Sequence, residues 1–198
     1  MTNFAPNSMT MVSVFDDMTQ VSEIEVLRMF PLVHEQRRKE ALRYKHVFGQ
    51  FACLKSWLML ADMLRPLGVN DFEMDFNEHG KPFLKNHPGI HFNLSHCKNG
   101  IAVAVDLAPI GIDIESFRKD NIALVRRTMN TAETAWIRGS SAPIEMFTRF
   151  WTQKEAVLKL RGTGIIEDLH QVLNGEGYRI ETHVNHDKCY VWSVAYAQ

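Results

Sequence analysis

Between residues 110 and 115 the chain reads Ile-Gly-Ile-Asp-Ile-Glu, and this strict alternation is the tightest constraint on what it can fold into. A period of two places successive side chains on opposite faces of a strand. Ile110, Ile112 and Ile114 therefore face a core, while Gly111, Asp113 and Glu115 share the other face. Two carboxylates at i and i+2 can reach one hard cation, because Mg²⁺ takes oxygen ligands at about 2.0–2.1 Å and combines a few protein carboxylates with substrate phosphate. Taken alone, such a pair also fits a solvated strand face. Its apolar flanks argue for a site, as does Gly111, beside which a cofactor phosphate can approach the backbone.

The surrounding pattern is mixed helix and strand. Ile101 to Val105 reads as a buried strand, separated from the alternating segment by an Ala108-Pro109 turn where a boundary is plausible. Upstream, residues 9–15 suit a strand, 19–30 a short capped helix, and Phe51, Leu54, Trp57, Leu58, Ala61 and Leu64 recur at helical spacing before Pro66. Short strands are expected over 72–76, 82–84 and 90–94, punctuated by Gly80, Pro82, Pro88 and Gly89. Downstream come helices over 122–129 and 131–137, and a long one from Pro143 to about 160 that Gly162 and Gly164 end. Alternating strands follow over 178–184 and 189–196.

A net charge of −1 in 198 residues gives no field to recruit nucleic acid or an anionic membrane, so any basic patch must be local. Cys53, Cys97 and Cys189 are odd in number and widely spaced, suggesting reduced thiols rather than a disulfide frame or zinc knuckle. Met1 to Phe15 lacks the pattern of a secretory signal. The apolar stretch Phe51 to Leu64 carries Lys55 and Asp62 and is shorter than the roughly 20 residues of a membrane span. A cytoplasmic protein is expected. His183 and His186 are spaced H-x-x-H beside Cys189, but on a strand they point to opposite faces, which argues against a transition-metal site.

Two further clusters can carry chemistry. In Phe150-Trp-Thr-Gln-Lys-Glu-Ala-Val-Leu-Lys159, Glu155 and Lys159 lie at i and i+4 on one helical face, which by itself is an ordinary surface ion pair worth about 0.3–0.5 kcal/mol. Gly80-Lys-Pro82 and Phe92-Asn-Leu-Ser-His96 offer lysine, serine and histidine donors suited to phosphate oxygens, although the first alone is a turn.

In their order and spacing, residues 91–96, 111–115 and 151–159, with Gly80-Lys-Pro82, resemble the 4′-phosphopantetheinyl transferases, specifically the larger single-chain type that activates peptide synthetases, polyketide synthases and acyl carrier proteins. The resemblance covers residues 35 to about 165. It implies an α+β fold of two similar halves, each a small antiparallel sheet packed with a long helix: residues 1–109 binding coenzyme A, and residues 110–198 binding Mg²⁺ and carrying catalysis. It implies a holo-[acyl-carrier-protein] synthase type of reaction, in which the phosphopantetheine arm of coenzyme A passes to a serine of an apo acyl or peptidyl carrier protein and adenosine 3′,5′-bisphosphate is released. Asp113 and Glu115 would hold the metal, with Glu155 either a further ligand or the general base. Lys159 would sit by the phosphate oxygens, and Lys81, Ser95 and His96 would bind the cofactor, the histidine at its 3′-phosphate.

The pattern departs from the family at the N-terminal bases. Arg37, Arg38, Lys39 and Arg43 cover a first basic segment, from which Lys39 is taken as the cofactor ligand. The later basic position falls near Gln50 to Ala52, with no base until Lys55. Carrier docking is expected between Phe117 and Ser141, with Arg118, Lys119, Arg126, Arg127, Trp136 and Arg138. A monomer is expected, with no nucleic-acid or membrane partner. A Mg²⁺-dependent nucleotide hydrolase would act without a carrier. A binding module that had lost the chemistry would be expected to lack one of Asp113, Glu115, Glu155 or Lys159, and all four are present.

Overall fold

The computed structural model describes residues 10–117, 122–163 and 168–198. Met9, Arg118, Lys119 and Gly164, which enter the expectations above, lie outside that set. In chain order the elements are β1 (Met11–Phe15), α1 (Glu23–Met29), α2 (Glu35–Leu42), α3 (Val47–Leu64), β2 (Met74–Phe76), β3 (Pro82–Leu84), β4 (His91–Cys97), β5 (Gly100–Asp106), β6 (Ile110–Ser116), α4 (Ile122–Thr128), α5 (Thr131–Gly139), α6 (Pro143–Arg161), β7 (Tyr178–Asn185) and β8 (Tyr190–Ala197). The chain is α+β, as expected, with small antiparallel sheets and long helices.

One three-stranded sheet has the order β1-β5-β4, another β6-β8-β7, and β2 with β3 forms a separate hairpin. All pairings are antiparallel. β5 is buried on both faces, which is why it reads as a continuous apolar run rather than an alternation. Ile101, Val103 and Val105 pack with Phe51, Leu54, Leu60 and Leu64 of α3. The small residues between them, Ala102 and Ala104, meet Ile110, Ile112 and Ile114 of β6. The isoleucine face is thus core, as the alternation requires.

With the turn that follows it, α3 forms a 21-residue helical segment, apolar and long enough to cross a membrane by length and composition. It is longer than the stretch from Phe51 to Leu64 suggested. Here its apolar side chains form the first core.

α6 starts with Pro143 in its first turn and ends at Gly162, whose φ of 67° is the left-handed conformation a helix terminus adopts at low cost in glycine. Ala156, Val157, Leu158 and Leu160 pack with Ala195 of β8. The second sheet is therefore covered by the first on one face and by α6 on the other.

Candidate active site

The carboxylate face of β6 lies under α6. The four steps along the strand from Gly111 to Glu115 advance about 13 Å at about 3.3 Å each, and the nine steps along the helix from Trp151 to Leu160 advance about the same at about 1.5 Å each. The ends match: a Cβ built on Gly111 would meet Ala156 O at 2.1 Å and Leu160 N at 2.4 Å, and the Trp151 indole N–H donates to Glu115 Oε1 at 3.2 Å. The space beside Gly111, expected to admit a cofactor phosphate, is filled by the backbone of α6. Close helix packing, not phosphate approach, is why this position lacks a side chain.

Between those ends Asp113 is 4% exposed. Its Oδ1 accepts from the Ser95 hydroxyl at 2.8 Å and from Lys159 Nζ at 2.7 Å, and Lys159 also donates to Ser95 Oγ at 2.9 Å. Its Oδ2 is buried with no hydrogen-bond partner. Lys159 pairs with Asp113 across the elements, so it is not merely the surface partner of Glu155. Burial, then the nearby charge of Asp113, raises the pKa of Glu155; Lys159 opposes this and Glu115 adds to it. The expected acids are gathered here, with one lysine among them.

Lys81 Nζ donates to Leu160 O at 2.9 Å and to Ile110 O at 3.3 Å, joining the end of α6 to the start of β6. Burial lowers its pKa to about 8. Lys81, Asn93, Leu94, Glu155 and Lys159 line a cavity of about 230 Å³. Leu94 and Pro82 also line a neighbouring cavity of about 420 Å³, whose far wall carries Arg37, Arg43 and His96. His96 reaches solvent on one side, while crowding by protein and the charge of Lys159 lower its pKa, an effect Asp113 opposes.

Not every expected ligand arrives. Lys39 is exposed on α2, pairs with Glu35 at 2.7 Å and lines neither cavity, whereas Arg43 from the same basic segment does line the second. Arg37 is held by Glu40 and Cys53 O and stacks over Trp57. Lys55 lies over the Phe15 ring, 4.2 Å from its centroid, so it does not supply the missing later base. Ser95 is 8% exposed and engaged with protein groups, including the Ile114 N–H at 3.4 Å. His183 stacks on Trp192, and His186 lies 3.6 Å from Glu145.

A family model described as "4′-phosphopantetheinyl transferase superfamily" matches residues 109–195. The 4′-phosphopantetheinyl transferase psf-1 of Bacillus pumilus is 31% identical over 157 residues, which are 76% of this chain and 66% of that protein. The 4′-phosphopantetheinyl transferase Sfp of Bacillus subtilis is 24% identical over 180 residues, 86% of this chain and 80% of the relative. The 4′-phosphopantetheinyl transferase HetI of Nostoc sp. is 39% identical over 111 residues, half of this chain and 46% of the relative. The chain belongs to the 4′-phosphopantetheinyl transferase superfamily. Membership gives the reaction class, transfer of a phosphopantetheinyl group, with coenzyme A as the fitting donor.

The donor chemistry of this transferase suits a divalent cation. Asp113 Oδ2 is an orphaned buried acceptor, and burial, Asp113 and Glu115 together raise the Glu155 pKa, so the three acids lie within electrostatic reach of one another. Among the described residues no three His, Cys, Asp or Glu side chains converge to enclose an ion unaided. A Mg²⁺ bound here would need waters or substrate phosphate oxygens to complete its shell beside these carboxylates.

Two contributions escape the sequence reading. Asn93 Oδ1 accepts the Ile112 N–H at 3.0 Å, two residues along each strand from the Ser95–Ile114 contact. The alternation in Phe92-Asn-Leu-Ser was the available signal, since it puts Asn93 and Ser95 on one face of β4. Lys154 is fully buried, pairs with Glu133 at 2.8 Å and donates to Leu169 O at 2.6 Å, anchoring α5 against α6. Nothing local in the sequence marks it out from a surface lysine.

Proposed function

We propose that this transferase moves the 4′-phosphopantetheine arm of coenzyme A to a serine of an apo carrier protein, with Mg²⁺, releasing adenosine 3′,5′-bisphosphate. The observation that carries the reading is the joining of two cavities along Leu94 and Pro82. One presents Lys81, Glu155 and Lys159, and the other Arg43 and His96. A cofactor with a pyrophosphate and a 3′-phosphate on one nucleotide suits two adjoining cavities that each offer cationic or hydrogen-bonding side chains. Cavities lined by a few convergent polar groups are where such ligands bind.

Asp113, Glu115 and Glu155 would hold the metal, which when bound neutralises charge on the pyrophosphate. Glu155, its pKa raised by burial and by its acidic neighbours, suits a group that accepts the proton of the incoming serine hydroxyl. The serine oxygen bonds to the pantetheine-side phosphorus as the bond from that phosphorus to the bridging oxygen breaks. Lys159 and Lys81 offer cationic donors to the charge left on the departing phosphate. His96 and Arg43 orient the nucleotide end.

The carrier docks over α4 and α5, where Trp136, 68% exposed, and Arg126, Arg127 and Arg138 reach solvent. Charge of that sign suits an acidic carrier helix and speeds encounter. The same reading has the enzyme act as a cytoplasmic monomer, with residues 1–109 and 110–198 as its cofactor-binding and catalytic halves. The test is a mass assay with coenzyme A, Mg²⁺ and a panel of apo carriers. The expected result is the gain of one phosphopantetheine group on a carrier serine, lost in Asp113→Asn. If no carrier gains mass, or Asp113→Asn retains full turnover, the proposal fails.

A further inference from the structure

The geometry points to Lys159 as a built-in counter-ion that occupies the metal side of Asp113 until coenzyme A arrives, so that the cofactor binds first and the divalent cation second. This rests on the transferase reading above and extends it to the order of assembly.

The argument begins with the burial of Asp113. A carboxylate that is 4% exposed needs a countercharge, because its desolvation is not otherwise repaid. Lys159 provides one at 2.7 Å from Oδ1, in a closed triangle with Ser95. Oδ2 of the same carboxylate is the orphaned acceptor that faces no donor. A doubly charged ion arriving at Oδ2 would therefore stand on the same small group as an ammonium, and like charges at that spacing repel strongly where water is scarce. As long as Lys159 stays on Oδ1, metal binding is opposed.

Lys159 is also free to leave without disturbing the fold. Its side chain is 28% exposed and lines the cavity that also holds Lys81 and Glu155. Four methylenes let Nζ swing into that cavity while α6 stays packed on Gly111. A pyrophosphate placed there offers several anionic oxygens against one carboxylate oxygen, so the ammonium transfers to it. Asp113 then keeps only the Ser95 hydroxyl on Oδ1, with Oδ2 open and its charge uncompensated, the state that favours a divalent cation. The two ligands are thereby coupled, and the coupling is reciprocal. Without cofactor, the site carries its own cation and does not scavenge metal.

The test reads metal binding directly, with no carrier and no turnover. Mn²⁺ is titrated into the full chain without coenzyme A and followed by the loss of the free-ion electron paramagnetic resonance signal. Lys159→Gln, which keeps a hydrogen-bond donor and removes the charge, is expected to bind Mn²⁺ roughly tenfold or more tightly than the wild type, within the usual range of coupling between sites. Combining it with Asp113→Asn is expected to abolish the gain. Coenzyme A is expected to raise Mn²⁺ affinity by a larger factor in the wild type than in Lys159→Gln. Equal or weaker Mn²⁺ binding by Lys159→Gln without coenzyme A overturns the inference, as does a gain that survives Asp113→Asn. Should Lys159→Gln be too unstable to titrate, its melting temperature replaces the titration. A larger rise with Mn²⁺ than the wild type shows supports the inference, and an equal or smaller rise overturns it. A chain that shows this coupling but modifies no carrier would count against the transferase reading alone.

Discussion

Gly111→Ala puts the helix-on-strand geometry to its most direct test. The added methyl would lie 2.1 Å from Ala156 O, 2.4 Å from Leu160 N and 2.9 Å from Leu160 Cα, all of them backbone atoms that no rotamer change can move. Ordinary contact needs about 3.5 Å, so α6 must lift by roughly 1 Å or more at this point. Overpacking of this kind costs about 1–3 kcal/mol, and the backbone origin of the clash puts it at the upper end. At this chain length each kcal/mol lowers the melting temperature by about 2–4 °C. The catalytic cost is larger than the stability cost. Lys159 and Glu155 ride on the displaced turn, so both would shift relative to Asp113 and to the cavity they line. A misplacement of about 1 Å at reacting groups can cost about 10²-fold in rate. The assay pairs thermal melts with single-turnover mass measurement of carrier modification. Gly89→Ala is the control, since nothing lies within 4 Å of its added Cβ, and it should leave both readouts unchanged. Gly111→Ala with wild-type melting and wild-type turnover would refute the claim that close packing of α6 on β6 sets the site.

Two further outcomes follow from single groups. Because burial and Asp113 raise the Glu155 pKa above its ordinary 4.5, the folded chain binds more protons than the unfolded one between 4.5 and the raised value, so stability falls as pH rises through that window and stays lower above it. Glu155→Gln in metal-free buffer is therefore expected to melt higher than the wild type at neutral pH and equally below pH 4.5, while transfer drops by about 10²–10⁴-fold; a melting temperature unchanged across pH would contradict it. Asn93→Ala strands the buried Ile112 N–H, and urea titration should show a loss of about 1–3 kcal/mol. No loss would mean that the N–H finds another partner.

What the sequence disclosed, and what it did not, follows from how local each signal is. The alternation of Ile110, Ile112 and Ile114 is a property of six adjacent residues, and it assigned both the strand and its core face. It said nothing about what covers the opposite face. A solvated face and a face under a helix differ only through α6, some forty positions later in the chain, so Asp113 turned out far more enclosed than a surface pair. Gly111 held the missing information, since a strand position with no room for a methyl implies a close neighbour, but it did not say whether that neighbour was ligand or helix. Choosing among the bases of α2 fails for another reason. Apart from Ala41 and Leu42 the helix is polar throughout, so no apolar stripe fixes its rotation, and only tertiary packing decides that Arg37, with Arg43 just past the helix end, lines a cavity while Lys39 does not. Asn93 and Ser95 illustrate a third limit. Short polar side chains serve a phosphate or a backbone N–H equally well, and the presence of β6 beside them settles which.

The outer edge of β6 has a consequence for association. An unpaired strand edge is a template on which another chain can add itself. Here Lys81 takes the Ile110 carbonyl, Asn93 the Ile112 N–H and Ser95 the Ile114 N–H, so three side chains stand where a further strand would have to bond. The strand that carries the carboxylates cannot recruit a neighbour by extending its sheet. The outer strand left to the second sheet is β7, where exposed Arg179, Glu181 and His183 recur at every second residue and discourage flat stacking. Guarding the chemistry and guarding against aggregation are, at β6, the work of the same side chains.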